Sequence, residues 1–239
     1  MIERRPFDSL GRFETDWLSA RYHFSFAGYH DPARTGLGPL VVWNDDIIRP
    51  GRGFDMHPHR DMEIITYIRR GAITHEDHLG NRGRTEAGDV QVMSAGTGIV
   101  HAEYNLEETP SELFQIWIVP NRTGVAPRWQ QRRFPKAARI GALIPLASGR
   151  AGDTGALPIH QDAAVLGATL HPGQSLMHRL APGRRAYLVV ARGALTINGV
   201  AAAARDGVAI EGESEVTIAA GDEESEILIA DLPPPADTT

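Results

Sequence analysis

Segments too short for helices, rich in β-branched and aromatic residues and separated by glycine turns, run through this chain and point to an all-β fold. From Gly51 to Asn105 the breaks are Gly71, Leu79-Gly80-Asn81-Arg82-Gly83, Glu86-Ala87-Gly88-Asp89 and Ser94-Ala95-Gly96-Thr97-Gly98. Between them lie the strand candidates Glu63 to Ile68, Ala72 to His78, Val90 to Met93 and Ile99 to Asn105, and Glu112 to Val119 closes the run. Turns at intervals of about 8–12 residues mean a β-barrel or sandwich. Upstream, Phe7 to Arg12 and Tyr22 to Tyr29 are expected to pair as early strands, and Leu40-Val41-Val42-Trp43 is expected to end at Asn44-Asp45-Asp46. No long amphipathic helix is visible anywhere.

The second half repeats the rhythm after an irregular connector from Asn121 to Arg139 whose basic residues, Arg128, Arg132, Arg133, Lys136 and Arg139, read as a solvated run. Its strand candidates are Ala164 to Leu170, Tyr187 to Val190, Ala194 to Ile197, Val208 to Ile210, Glu215 to Ile218 and Ile227 to Ile229. Tyr67-Ile68-Arg69-Arg70-Gly71-Ala72-Ile73-Thr74 echoes Val189-Val190-Ala191-Arg192-Gly193-Ala194-Leu195-Thr196, an offset of 192 − 70 = 122 positions. The expected organisation is two related barrels, residues 1–125 and 126–232, followed by a disordered tail over 233–239.

Two short strings carry the chemistry: His57-Pro58-His59 and His101-Ala102-Glu103. Each is an i,i+2 pair, and in a strand such side chains share a face. If both segments line one barrel, three imidazoles and a carboxylate converge on one interior point. That donor set suits Fe(II), Mn, Ni, Co, Cu or Zn. Glu63 has the parity of His57 and His59 and competes with Glu103 for the carboxylate place. Asp61 is expected to pair with Arg60. His75, His78, His160, His171 and His178 have no partner at ligand spacing and read as surface or hydrogen-bonded residues. With the offset of 122, His57 falls on Arg179, His59 on Ala181 and Glu63 on Arg185, so the second half lacks the ligands.

Composition narrows the partners. A formal net charge of −6 argues against broad binding to a phosphate backbone. The chain has no cysteine, hence neither disulfides nor thiolate ligands. Met1 to Tyr22 contains no apolar export signal, and no apolar run reaches membrane-spanning length. The expectation is a cytoplasmic protein that binds neither nucleic acid nor membrane.

Gly51-x5-His57-x-His59-x3-Glu63-x7-Gly71 resembles the first cupin motif, with one extra residue before the last glycine. Gly88 to Asn105 resembles the second, with Ser94 where proline is usual and four residues rather than two between Gly96 and His101. More narrowly, HPHRDMEIITYIRRGAITHEDHLGN and GDVQVMSAGTGIVHAEYN are similar to the pirin family, as are SFAGYHDP, PGRGFDMHPHR and FQIWIVP. A weaker likeness continues through APGRRAYLVVARGALTING.

The resemblance implies a bicupin, two stacked antiparallel β-barrels of jelly-roll type, with iron, most simply Fe(II), in the first barrel only. It favours His57, His59, His101 and Glu103 as ligands and leaves Glu63 as an acceptor for a ligand N–H. It also implies quercetin 2,3-dioxygenase activity on a flavonol and O2, with ring opening and release of carbon monoxide. Glu103 is then both ligand and catalytic base for the 3-hydroxyl, and Phe54, Met56, Met93, Phe114 and Trp117 are candidates for the pocket wall. The alternative that the resemblance carries is a redox-sensing co-regulator working through a protein partner. A third reading is an isomerase or lyase without O2. The protein is expected to be a monomer.

Overall fold

The computed structural model describes residues 1–235, so the last four positions of the expected tail, 236–239, lie outside the described residues. The first half contains β1 (Ile2–Arg5), β2 (Gly11–Glu14), β3 (Leu18–Tyr22), β4 (Leu40–Ile48), β5 (Arg52–His59), β6 (Glu63–Arg70), β7 (Ala72–Asp77), β8 (Arg82–Glu86), β9 (Val90–Ser94), β10 (Ile99–Asn105) and β11 (Ser111–Ile118). The second half contains β12 (Arg128–Arg132), β13 (Ile144–Ser148), β14 (Leu157–Pro158), β15 (Ala164–Leu170), β16 (Ser175–Arg179), β17 (Arg185–Arg192), β18 (Ala194–Ile197), β19 (Val200–Ala203), β20 (Gly207–Glu211), β21 (Glu215–Ala220) and β22 (Ser225–Leu232). Among the described residues the only helical pieces are two 3₁₀ turns, Phe7–Ser9 and Lys136–Arg139. None of their helices is long and apolar enough to cross a membrane.

These strands form two barrels, each a seven-stranded sheet facing a four-stranded one. The first pairs β12-β9-β6-β11-β4-β3-β2 with β5-β10-β7-β8; the second pairs β1-β20-β17-β22-β15-β13-β14 with β16-β21-β18-β19. Two strands cross the boundary expected near residue 125. The N-terminal β1 joins the second barrel beside β20, and β12 joins the first beside β9.

Strand alternation explains how the barrels stack. On β6, Ile65 and Tyr67 point toward the second barrel, where they pack with Trp43, Phe114, Tyr187 and Leu228 in one buried layer. Each such side chain removed from water stabilises the fold by about 1.5–3 kcal/mol. The interior of the second barrel is an apolar plug that includes Leu166, Leu188, Val208, Val216, Ile218 and Ile229. The interior of the first barrel is mixed instead: apolar clusters around Leu18, Ile48 and Ile73 and around Ile64 and Ile99 flank the buried polar residues Thr66, Gln91 and Glu103, and that contrast positions the site.

The internal repeat is structural. Gly71 and Gly193 both take positive φ, 73° and 81°, at equivalent turns, which favours glycine there. In each barrel a serine hydroxyl closes that turn: Ser111 Oγ donates to the Ala72 carbonyl (2.6 Å) and Ser225 Oγ to the Ala194 carbonyl (2.9 Å). The constant offset, however, is one residue wrong at β16. His57 faces His101 across β5–β10, and its counterpart facing Val216 across β16–β21 is His178, not Arg179. The link from His59 to Glu63 is four positions and that from Leu180 to Arg185 is five, so the loop absorbs the slip. Val216 and Ile218 then occupy the places of His101 and Glu103, since Ile218 pairs with Ile197 as Glu103 pairs with His75.

Other expectations change at the residue level. Phe7 to Arg12 begins as a 3₁₀ turn, and only Gly11 onward is strand; β3 ends at Tyr22, and the residues after it form a turn closed between Phe26 and Tyr29. β4 runs straight through Asn44-Asp45-Asp46 rather than stopping there. Asp45 faces the other barrel and accepts from Arg69 and Arg205, while its neighbours face inward. The connector is not wholly solvated: Arg139 is buried against Tyr67 and Glu226.

Candidate metal centre

His57 and His101 are direct cross-strand partners on β5 and β10. Their ring centroids are 4.4 Å apart, with His59 at 4.8 Å from His57 and 5.0 Å from His101. The candidate ligand atoms of His57, His59 and His101 lie within 4.8 Å of one another. Those of His75, His101 and Glu103 do likewise, so His101 belongs to both groups.

A register shift between His101 and Glu103 places two residues of β5, Asp55 and Met56, opposite the single Ala102, so β5 contains one extra residue there. The bulge turns Phe54 into the cavity and leaves Met56 outside at 52% exposure. It also brings the Asp55 carbonyl within 2.7 Å of His57 Nδ1. Of the other expected wall residues, Trp117 lines the cavity, whereas Phe114 lies in the layer between barrels and Met93 in a separate cluster with Ile64 and Ile99.

His59 and His101 are held as neutral lone-pair donors. Burial pulls His59 down to about 4, with His57 adding to the effect. Burial and the neighbouring His57, His59 and His75 pull His101 down to about 2. The tautomer of His101 follows from its partners. Asp77 Oδ2 accepts from His75 Nε2–H (2.9 Å), so His75 Nδ1 is the acceptor for His101 Nδ1–H (3.3 Å). His101 Nε2 is therefore left with its lone pair, and it is buried with no hydrogen-bond partner. His57 Nδ1 donates to the Asp55 carbonyl, which leaves its Nε2 lone pair free in the same way. A buried, unprotonated and unpartnered imidazole nitrogen fits a metal ion better than any protein group in reach.

Glu103 is buried and held at both oxygens. Gln91 Nε2 donates to Oε1 (2.6 Å) and Gln115 Nε2 to Oε2 (2.9 Å). Burial pushes its carboxyl up to about 7 against those hydrogen bonds, a cost that a bound cation would offset. Glu63 does not touch the histidines of this centre. It accepts from Ser94 Oγ (2.6 Å) and bonds His160 Nδ1 (3.0 Å), tying the first barrel to the second half of the chain. Asp61 accepts from the Gly124 amide (2.8 Å) and forms no ion pair with Arg60. His75, expected to be a surface or hydrogen-bonded residue, is buried, hydrogen-bonded and stacked on Trp129 (4.7 Å, 7°).

A cavity of about 180 Å³ opens beside the centre. His57, His59 and Glu103 form one wall, and Phe26, Phe54 and Trp117 supply flat apolar surface. Leu18, Tyr22, Asn44, Asp46 and Gln115, none of them a sequence candidate for the site, complete it. The available signal for Asn44 and Asp46 is their parity, four and two residues before the buried Ile48.

The comparisons with known proteins agree with this architecture. The pirin family model matches residues 3–118, and the model described as the quercetinase C-terminal cupin domain matches 146–232. A pirin-like protein of Caulobacter vibrioides is 55% identical, covering 97% of this chain and 99% of its own length. A quercetin 2,3-dioxygenase of Escherichia coli is 43% identical, covering 98% of this chain and all of its own. The bacterial pirin YhhW of Escherichia coli, solved in complex with nickel(II), superposes with a TM-score of 0.92 at 42% identity, covering 98% of this chain and 100% of that one. The chain belongs to the pirin family.

Proposed function

We propose that this protein is a metal-dependent dioxygenase that opens the heterocycle of a quercetin-type flavonol with O2 and releases carbon monoxide. The observation that carries the reading is the buried, unpartnered Nε2 of His101 beside two further imidazoles at the wall of an aromatic cavity. The donor set is that of a first-row transition metal, and Fe(II) is the metal proposed. The nickel(II) in the E. coli relative's structure fits the same donor class.

His57, His59, His101 and Glu103 would hold one such ion. When bound, it supplies a Lewis acid that polarises the substrate's 3-hydroxyl and a centre able to activate O2. The rest falls to the chain. Glu103, poised near neutrality and steadied by Gln91 and Gln115, takes the proton of the 3-hydroxyl. Phe26, Phe54 and Trp117 sandwich the flat ring system and keep water from the reacting face. The Asp77–His75 pair keeps the His101 lone pair directed at the centre.

The test is oxygen uptake with quercetin by protein loaded anaerobically with Fe(II), with carbon monoxide followed in parallel and His101→Ala as control. Uptake matched by carbon monoxide and abolished in the variant is the expected result. Stoichiometric metal without turnover would overturn flavonol cleavage and favour a redox-sensing role in protein binding.

A further inference from the structure

A row of polar side chains crosses the inner face of the first barrel at the level of Glu103. The ladder registers set Tyr22 beside Asn44, Asn44 beside Gln115, Gln115 beside Thr66 and Thr66 beside Gln91. Gln115 and Gln91 both donate to Glu103, and Thr66 Oγ1 accepts weakly from Gln91 (3.5 Å). The other end of the row, Tyr22 and Asn44, is not engaged with Glu103. One step along β4 on the same face stands Asp46.

Asn44 and Asp46 are each only 3% exposed. Among the described residues, Asn44 Oδ1 and Asp46 Oδ1 are buried without any hydrogen-bond donor. Both residues line the cavity beside the metal centre. Leaving even one buried acceptor unpaired is costly, and two adjacent ones are rare in a folded interior. The cavity lining contains no lysine or arginine, so apart from an ion held at the histidines nothing there would receive an anionic group, and the two unpaired acceptors would oppose one. What fits two unpaired acceptors between aromatic walls is a flat ring bearing hydroxyl donors. The volume agrees: a cavity of about 150 Å³ holds a benzene ring, and this one has about 180 Å³, room for one substituted ring with the rest of the ligand at the mouth.

We propose that Asn44 and Asp46 are the recognition end of this pocket, accepting hydrogen bonds from the ring hydroxyls of a polyhydroxylated aromatic ligand. Asp46 serves in either protonation state, since one oxygen always accepts. Tyr22 adds a hydroxyl at the same end of the row. The inference rests on the reading of this cavity as a substrate pocket, but not on the oxygen chemistry.

The experiment is anaerobic binding to metal-loaded protein, read by tryptophan fluorescence and calorimetry. It compares quercetin with 3-hydroxyflavone, which keeps the metal-directed hydroxyl and lacks the ring hydroxyls. Asp46→Leu and Asn44→Leu are expected to weaken quercetin by roughly tenfold or more each, about 1.4 kcal/mol, and to leave 3-hydroxyflavone within twofold. Both variants are expected to match or exceed the parent in thermal midpoint, because each removes an unpaired buried acceptor. A merely structural role would lower that midpoint. A ligand-side control needs no variant: quercetin methylated at its ring hydroxyls, with the 3-hydroxyl free, should bind the parent protein no better than 3-hydroxyflavone. Equal loss for both flavonols, no loss for either, or no quercetin binding by the parent would overturn the proposal. Selective binding without oxygen uptake would overturn the dioxygenase reading alone, and uptake without selectivity would overturn this one alone.

Discussion

At the scale of single residues, His75 shows how much of this centre depends on groups that never reach the cavity. Its ring lies flat on Trp129, its Nε2 is fixed by Asp77, and its Nδ1 accepts from His101. His75→Phe keeps an aromatic ring against Trp129 but leaves His101 Nδ1 without an acceptor and its tautomer free. Metal affinity is expected to fall about 10–100-fold, the usual cost of losing such a support. A competition titration against a chelator measures it. His75→Gln restores an acceptor oxygen and should recover part of the loss. Affinity kept in His75→Phe and lost in His75→Gln would mean that the stack on Trp129, not the hydrogen bond, holds His101.

At the scale of elements, what was legible in the sequence divides by how local its cause is. The two candidate ligand pairs were visible because i,i+2 placement on one strand needs no knowledge of distant partners. Ala164–Leu170 and Ala194–Ile197 were bounded correctly for a similar reason: apolar runs between turn residues leave little choice. Asn44-Asp45-Asp46 was misread because such residues ordinarily mark turns. Here Asp45 finds two arginines outside, and its neighbours face a cavity inside, so a strand passes through. Gln91 and Gln115 carry no local signal, since only cross-strand register brings them to Glu103. Nor does the chain announce the bulge in β5 that turns Phe54 inward. That strand also contains a tight approach. A Cβ at Gly53 would stand 2.1 Å from the Glu103 carbonyl oxygen and 2.6 Å from Tyr104 Cα. Both are backbone atoms and cannot swing aside. Gly53→Ala is expected to push β5 off β10, costing about 1–3 kcal/mol in urea denaturation, and to weaken metal binding as His57 moves with its strand. Unchanged stability and affinity would show that the ladder tolerates the wider spacing.

At the scale of the whole molecule, the two barrels put equivalent positions to opposite uses. In the first barrel His57 keeps a free Nε2, and its inner wall stays polar around a cavity. In the second, His178 stands where His57 stands in the first, but Val216 and Ile218 fill the places of His101 and Glu103. Its Nε2 is bound to Asp231 (3.0 Å), which also accepts from Arg150 (2.7 Å) and Arg184 (2.5 Å). The position equivalent to His57 belongs here to a buried ion cluster around Asp231. Burial pulls the Asp231 carboxyl up, but the hydrogen bonds from His178 and Arg184 outweigh it and hold the group below its ordinary range. The sign of the linkage follows. Because the folded state releases this proton at lower pH than the unfolded chain, the stabilisation is present above the unfolded value of about 3.9 and is lost as pH falls through the lower folded value. Asp231→Asn strips the charge from a site with two arginines, and at neutral pH it is expected to cost about 3 kcal/mol. Measured by urea denaturation from about pH 7 downward, the gap between parent and variant should hold steady to roughly pH 5 and close below about pH 4. Metal binding in the first barrel should be unaffected in the folded variant, since the cluster and the centre lie in different barrels. A gap that instead widened on acidification would mean that Asp231 is protonated more readily in the folded chain than in the unfolded one, and that burial rather than the two arginines governs this site.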